Sequence, residues 1–326
     1  MKVCIVGTGG TISSLGHGPL DYLDYADTGD KLDPAGLLAR FPEVAGLGDI
    51  IPVAWKAVGS MDIGPAEWLE LVQLIEALPG RHPGLDGIVV THGTATLEET
   101  AYFLHLTLKL DIPVVLVGAQ RPASALGTDA GPNLLNAVRT AGSPVARGLG
   151  VLVVLNDEIH AAREVTKTST LRLQTFRSPD FGLVGHADAD RIAIERRPAR
   201  RRGVFDIAGR TSLPRVDIVP SYAGADAAAI HAFVAAGAEG LVVSGMAPGF
   251  VPPAQREPLD DAVTRGIAVV MSTRAGSGRV TPRAALVRRG WLAADSLNVQ
   301  KARILLMLAL AETRDPAAIQ EYFTTC

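Results

Sequence analysis

The sequence predicts an α/β fold: a larger amino-terminal domain on a mostly parallel sheet, then a smaller carboxy-terminal α/β domain. Three observations predict it. Short runs rich in Val, Ile and Leu at 3–6, 88–90, 113–117 and 150–155 have the unbroken apolar character of strands buried on both faces. Between them lie stretches with helical spacing, such as Leu97, Ala101, Leu104 and Leu108. After a Gly-, Pro- and Asp-punctuated segment at 203–214 the same alternation resumes on a smaller scale.

The first strand, 3–6, runs into Gly7-Thr8-Gly9-Gly10-Thr11-Ile12. A dinucleotide-binding turn of the form G-x-G-x-x-G would need glycine where Ile12 stands, so the cluster reads as a tight turn that ends in a hydroxyl, Thr11. Residues 13–33 are rich in Gly, Asp, Ser and Thr, with Tyr22 and Tyr25 among them, and a loop this long reads as a lid or as a disordered segment. A strand over 50–58 ends in Gly59-Ser60-Met61-Asp62, and a helix over 65–78 presents Trp68, Leu71, Val72 and Ile75 inward. The strand at 88–90 stops at Thr91-His92-Gly93-Thr94, and Thr96 with Glu99 has the T-x-x-E form of a capping box. Strand end, turn and helix amino terminus therefore meet at Thr94, where open α/β sheets bind ligands. A strand at 113–117 leads to Gln120-Arg121-Pro122, and a helix over 133–141 precedes the strand at 150–155.

Beyond it, 156–170 turns polar, and Lys167 sits between two threonines; taken alone, such a lysine reads as solvated surface. The run RRPARRR at 196–202 reads as a solvated linker. The expected organisation is a first domain over 1–195, a linker over 196–214 and a second domain over 215–326. In the second, strands are expected at 216–219, 241–244 and 268–272, and helices at 225–236, 253–265 and 299–313.

Composition narrows the function. The 326 residues, 48% hydrophobic, supply core for two domains. A net charge of −3 gives no pull toward nucleic acid or an anionic membrane surface. Cys4 and Cys326, at opposite ends, make no disulfide framework, which fits a reducing cytoplasm. The opening apolar run is too short for a secretory leader, and none reaches the roughly 20 residues of a membrane span. The seven histidines show no metal-ligand spacing. The expectation is a soluble cytoplasmic protein without a metal.

The motifs GTGGTI (7–12), VTHGTATLEETAYFL (90–104), VGAQRP (117–122), GPNLLNAV (131–138), VTKTST (165–170) and LNVQKARILL (297–306) run through almost the whole chain. Together they resemble the bacterial asparaginase/glutaminase family of two-domain amidohydrolases. The resemblance implies a small-molecule amide substrate, no metal or organic cofactor, and a homodimer or homotetramer whose sites are completed by a neighbour's smaller domain. It implies Thr11 as nucleophile, Tyr25 as the lid tyrosine with Tyr22 the alternative, Ser60 as binder of the substrate's α-carboxylate, and Thr94 with Lys167 as the second threonine and its lysine. Such roles suit the chemistry. A threonine hydroxyl needs a positioned base near neutral pH, and a lysine serves as one only where its surroundings favour the neutral amine. Backbone N–H groups of the first turn and of Gly93-Thr94 are placed to steady an oxyanion.

The sequence also departs from that family. Ala95 stands where an aspartate usually holds the substrate's α-ammonium, Met61 where an amide side chain is frequent, and Phe250 where many members carry asparagine; no carboxylate stands at Arg283 or Ala284. Leaving a buried ammonium without its carboxylate costs about 3–5 kcal/mol, at least a hundredfold in affinity. The expectation is an amidohydrolase of altered specificity, with L-asparagine a poor substrate. An ordinary L-asparaginase and a non-catalytic binding homologue are the alternatives.

Overall fold

A computed structural model describes residues 1–198 and 205–326. The chain forms two compact units, Met1–Ala199 and Arg200–Cys326. In the first unit the strands are β1 (Lys2–Gly9), β2 (Asp49–Val58), β3 (Gly87–Thr91), β4 (Val114–Val117), β5 (Val151–Leu155), β6 (Glu158–Ala161), β7 (Thr166–Lys167), β8 (Phe176–Arg177), β9 (Gly185–Ala187) and β10 (Ile192–Ile194). The helices are α1 (Pro34–Arg40), α2 (Pro42–Ala45), α3 (Pro65–Arg81), α4 (Leu97–Thr107) and α5 (Ala130–Ala141). Among the described residues an eight-stranded sheet runs in the order β10-β9-β6-β5-β4-β3-β1-β2.

The five strands from β5 to β2 are parallel, and the inner ones, β1, β3, β4 and β5, carry the continuous apolar runs of strands covered on both faces. Alternate residues of β1 point to opposite faces, and Val3, Cys4, Ile5 and Val6 are all fully buried. Val3 and Ile5 join Val89, Val115 and Leu152 in one core with Leu134, Ala137 and Val138 of α5. Helix α4 is buried on nearly every side, from Leu97 and Glu98 through Thr107, rather than along the single stripe its spacing suggested.

Three parts of this unit differ from the sequence reading. The polar stretch after β5 folds back as β6, which pairs antiparallel with β5, and β9 and β10 extend that antiparallel edge. These strands are three or four residues long and interleaved with charge, so they lack the apolar signature that marked the others. Lys167 does not end a strand of the main sheet; it lies on β7, in a separate two-stranded ladder with β8. Arg196 is anchored rather than solvated: its Nε donates to the Leu183 carbonyl at 3.0 Å and its guanidinium pairs with Glu164. The rest of the basic run from 199 on lies outside the described residues.

The second unit carries β11 (Val216–Pro220), β12 (Gly240–Gly245), β13 (Ala268–Thr273) and β14 (Leu292–Ala293) in one parallel sheet, in chain order. Its helices are α6 (Ala228–Ala235), α7 (Pro253–Thr264), α8 (Ala284–Val287), α9 (Val299–Glu312) and α10 (Pro316–Thr325). The Asn298 side chain caps α9 by accepting from Lys301 N–H, and Asp315 caps α10 by accepting from Ala317 and Ala318. Helix α10 was not expected from sequence, although Asp315-Pro316 is a recognisable start signal.

Candidate active site

In the parallel half of the first sheet, β1 lies between β2 and β3, so the chain moves one way from β1 and then returns to build the other side. That reversal opens a crevice outside the carboxyl ends of β1 and β3, the general ligand position in such sheets. The turns after β1, β2 and β3 meet there in backbone contact, and glycines make the contact possible. Gly9 and Gly10 have φ of 94° and 83°. A Cβ on Gly10 would fall 2.3 Å from the backbone of Gly93, and one on Gly9 2.4 Å from the Val58 carbonyl. One on Gly93 would come within 2.8 Å of the Ser60 side chain. The glycine cluster thus serves the approach of three turns, which gathers Thr11, Ser60 and Thr94 at one end of the sheet.

Two hydrogen-bonded pairs stand at this junction. Thr11 Oγ1 lies 2.8 Å from the Tyr25 hydroxyl. The other tyrosine of the loop points elsewhere: Tyr22 donates to the Leu126 carbonyl at 2.7 Å and lies beneath the Arg121 guanidinium. The loop itself is tied down at several points. Leu15 N–H bonds the Asp30 carbonyl and Leu32 N–H the Ser13 carbonyl, while Gly16 N–H reaches Ser124 Oγ. The second pair is Lys167 and Thr94. Lys167 Nζ donates to Thr94 Oγ1 at 2.7 Å, across 73 residues of chain. Burial pushes the lysine's pKa down, and the charge of Glu98 partly opposes that shift. Lys167 is therefore not the solvated surface lysine its local sequence suggested.

Supporting residues fix these turns. Thr96 precedes α4 as expected, but its hydroxyl does not cap the helix; it donates to the Ser60 carbonyl at 2.6 Å and ties the β2 turn to the β3 turn. His92, fully buried, was singled out by nothing in the sequence reading. Trp68 Nε1 can only donate, and it donates to Thr100 Oγ1 at 2.9 Å. Thr100 then spends its one hydrogen on His92 Nε2, 2.9 Å away, which leaves the imidazole proton on Nδ1 to bond the Gly93 carbonyl at 2.8 Å. Desolvation holds the His92 pKa down to about 4, so the ring is neutral and orients the Gly93 peptide. The Asp129 carboxylate likewise accepts from the backbone of Gln120 and Arg121 and from Asn133 Nδ2, shaping the turn after β4. The only sequence signal for His92 or Asp129 was a polar residue beside an apolar strand or helix.

Ser60 is buried, whereas Met61 and Ala95 are exposed. In the second unit, Phe250 is partly exposed beneath the Arg283 guanidinium, 4.0 Å from the ring centroid. Among the described residues no group of three or more His, Cys, Asp or Glu is placed to hold a metal ion.

Sequence and structure comparisons show which family the chain and its fold belong to. The family model "Asparaginase, N-terminal" matches residues 2–200, and "Glutaminase/Asparaginase C-terminal domain" matches 215–323. The chain belongs to the asparaginase family. It is 42% identical to L-asparaginase 2 of Bacillus subtilis over 325 residues, covering 99% of this chain and 86% of the relative. It is 39% identical to a probable periplasmic L-asparaginase of Haemophilus influenzae, covering 99% and 92%. The crystal structure of a probable cytoplasmic L-asparaginase from Campylobacter jejuni superposes with a TM-score of 0.95 at 38% identity, covering 100% of this chain and 99% of that one. As a member of this family the chain is an amidohydrolase acting on C–N bonds. Its large unit with a mostly parallel sheet and smaller parallel-sheet unit are the fold of that family.

Proposed function

We propose that the chain hydrolyses a small-molecule amide that lacks a free α-ammonium, with Thr11 as nucleophile. The observation that carries this reading is the bond from Lys167 to Thr94: a lysine whose neutral form is favoured by burial, held on a hydroxyl. In the proposed reaction Thr11 Oγ1 attacks the amide carbon and its proton passes through Tyr25 and the Thr94–Lys167 pair. The C–N bond breaks as the nitrogen takes up a proton and leaves as ammonia. Water then cleaves the threonine ester, releasing the acid and returning the proton to Thr11. Backbone N–H groups of the Gly10-Thr11 and Gly93-Thr94 turns face the developing oxyanion. Ser60 binds the substrate carboxylate, with Met61, Gly93 and Ala95 bordering it.

The specificity reading rests on Ala95, which brings no charge beside Thr94, and on an arginine, Arg283, where a carboxylate for the ammonium would be expected. We place the protein in the cytoplasm, where Cys4 and Cys326 stay reduced, as a homodimer or homotetramer.

Ammonia release from L-asparagine and from succinamic acid, its deaminated counterpart, tests the reading. Succinamic acid should be the better substrate, and Thr11→Ala should abolish turnover of both while the melting temperature holds. Ala95→Asp should raise kcat/KM for asparagine and not for succinamic acid, and move the pH optimum upward, because a carboxylate near Lys167 favours its charged form. Retention of more than about a tenth of the activity in Thr11→Ala would shift the nucleophile's role elsewhere. Efficient turnover of asparagine by the unaltered chain would make it an ordinary L-asparaginase.

A further inference from the structure

Glu98 has no role in the reaction as described, yet it is buried in the first turn of α4, four residues after Thr94, at 5% exposure. Its Oε2 has no hydrogen-bond partner. A carboxylate oxygen out of water with no donor is costly, and a position packed this closely would take leucine or glutamine at lower cost. Its place at a helix amino terminus offsets a part of that. The remaining compensation is a cation, and the charge of Glu98 acts on Lys167. Other charges around β7 have partners of their own: Arg163 lies over the Phe181 ring, Arg177 on β8 bonds Gln174, Glu164 pairs with Arg196, and Glu158 holds His160. Ala95, beside Thr94, brings no polar side-chain atom.

We propose that Glu98 is a positioning residue for amide hydrolysis: its buried carboxylate, in the first turn of the helix that follows Thr94, is the counter-charge for the Lys167 ammonium that donates to Thr94. The inference rests on the reading of Lys167 as the proton acceptor. It gives the site an internal counter-charge contributed by the helix rather than by the residue next to Thr94. Because Glu98 favours the charged lysine, removing its charge lowers the pH at which Lys167 becomes neutral.

The test is Glu98→Gln, which keeps the shape and removes the charge. The Lys167 titration is followed directly by NMR in lysine-13Cε-labelled protein, beside the pH profile of kcat/KM. In Glu98→Gln both the titration and the rising limb should move down by roughly half a pH unit or more, with kcat reduced several-fold and KM nearly unchanged. Glu98→Asp, which keeps the charge one methylene further back, should lie between the two. A carboxylate that only met the helix dipole would change stability and leave the lysine titration in place, and that result would overturn the inference. If Glu98→Gln does not fold, a titration in Glu98→Asp identical to that of the unaltered chain overturns it equally. Full activity in Lys167→Met would instead overturn the function reading, so the two failures are told apart.

Discussion

The turns after β1 and after β12 occupy comparable places, each ending an inner strand of a parallel sheet, and they are built by different means. After β1 the sheet order reverses, a crevice opens, and glycine backbone packs on glycine backbone, leaving Thr11 beside Tyr25. After β12 the strands continue in chain order, so no reversal opens a crevice. There the turn closes on itself, Met246 and Phe250 exchanging backbone hydrogen bonds at 2.8 and 2.6 Å, and Arg283 lies over Phe250 and donates to the Gly249 carbonyl at 3.0 Å. Three turns pressed backbone to backbone hold a hydroxyl against residues of other strands, whereas a turn closed within itself orders only its own residues. The difference teaches that the parallel sheet provides positions and the topological reversal decides which of them can hold chemistry.

The sharpest break in the comparison is at Lys167. Lys167→Met should lower kcat by about three orders of magnitude or more, and Lys167→Arg, too basic to accept a proton near neutral pH, should not rescue it. Steady-state ammonia release measures both. Full activity in the arginine variant would show that the site needs only a positive charge.

A glycine series separates backbone contact from side-chain contact. Gly10, Gly249 and Gly237 have similar φ of 83°, 90° and 84°. An added Cβ meets Gly93 backbone at 2.3 Å in the first, a Val280 methyl at 2.7 Å in the second and nothing in the third. Changing each to alanine should cost more than about 3 kcal/mol at Gly10, about 2 at Gly249 and about 1 at Gly237. Urea unfolding orders the three; equal losses would show that φ alone, not the meeting of turns, governs the first motif.

His92 sharpens the same comparison through pH. Its folded pKa, about 4, lies below the ordinary value of 6.5, so the unfolded chain binds the proton more readily. The stability it contributes is complete above pH 6.5 and is lost as pH falls toward 4, up to about 3 kcal/mol. Denaturation midpoints of the unaltered chain should fall more steeply across that window than those of His92→Gln. Parallel curves would mean that the imidazole is protonated in place.

The smallest effect is expected on the other side. Arg283→Ala removes a partly exposed cation–π contact and the hydrogen bond to the Gly249 carbonyl, so stability should change by no more than about 1 kcal/mol.

Much of this architecture was written locally. Val3 to Val6, Ile88 to Val90 and Val151 to Leu155 announced buried strands because a strand covered on both faces is built almost wholly from apolar residues. The glycines at 9 and 10 announced a turn that other residues cannot make, and the hydroxyls of Thr11 and Thr94 followed from strand ends. The short strands at the antiparallel edge announced nothing, since three residues carry too little periodicity to stand out. Nor did the sequence separate Tyr25 from Tyr22, which lie three residues apart in one loop; only the folded path of that loop sends one hydroxyl to Thr11 and the other to Leu126.

The amino-acid sequence by itself determined which segments bury, where they stop and which hydroxyls stand at the stops, because burial and turn geometry are properties of a few neighbouring residues. Tertiary structure alone decided that β1 lies between β2 and β3, that Lys167 reaches Thr94 across 73 residues, and that Glu98 and His92 are sealed from water. Those are choices among distant partners, and the proton affinities that the chemistry depends on come from the desolvation and charge those partners create.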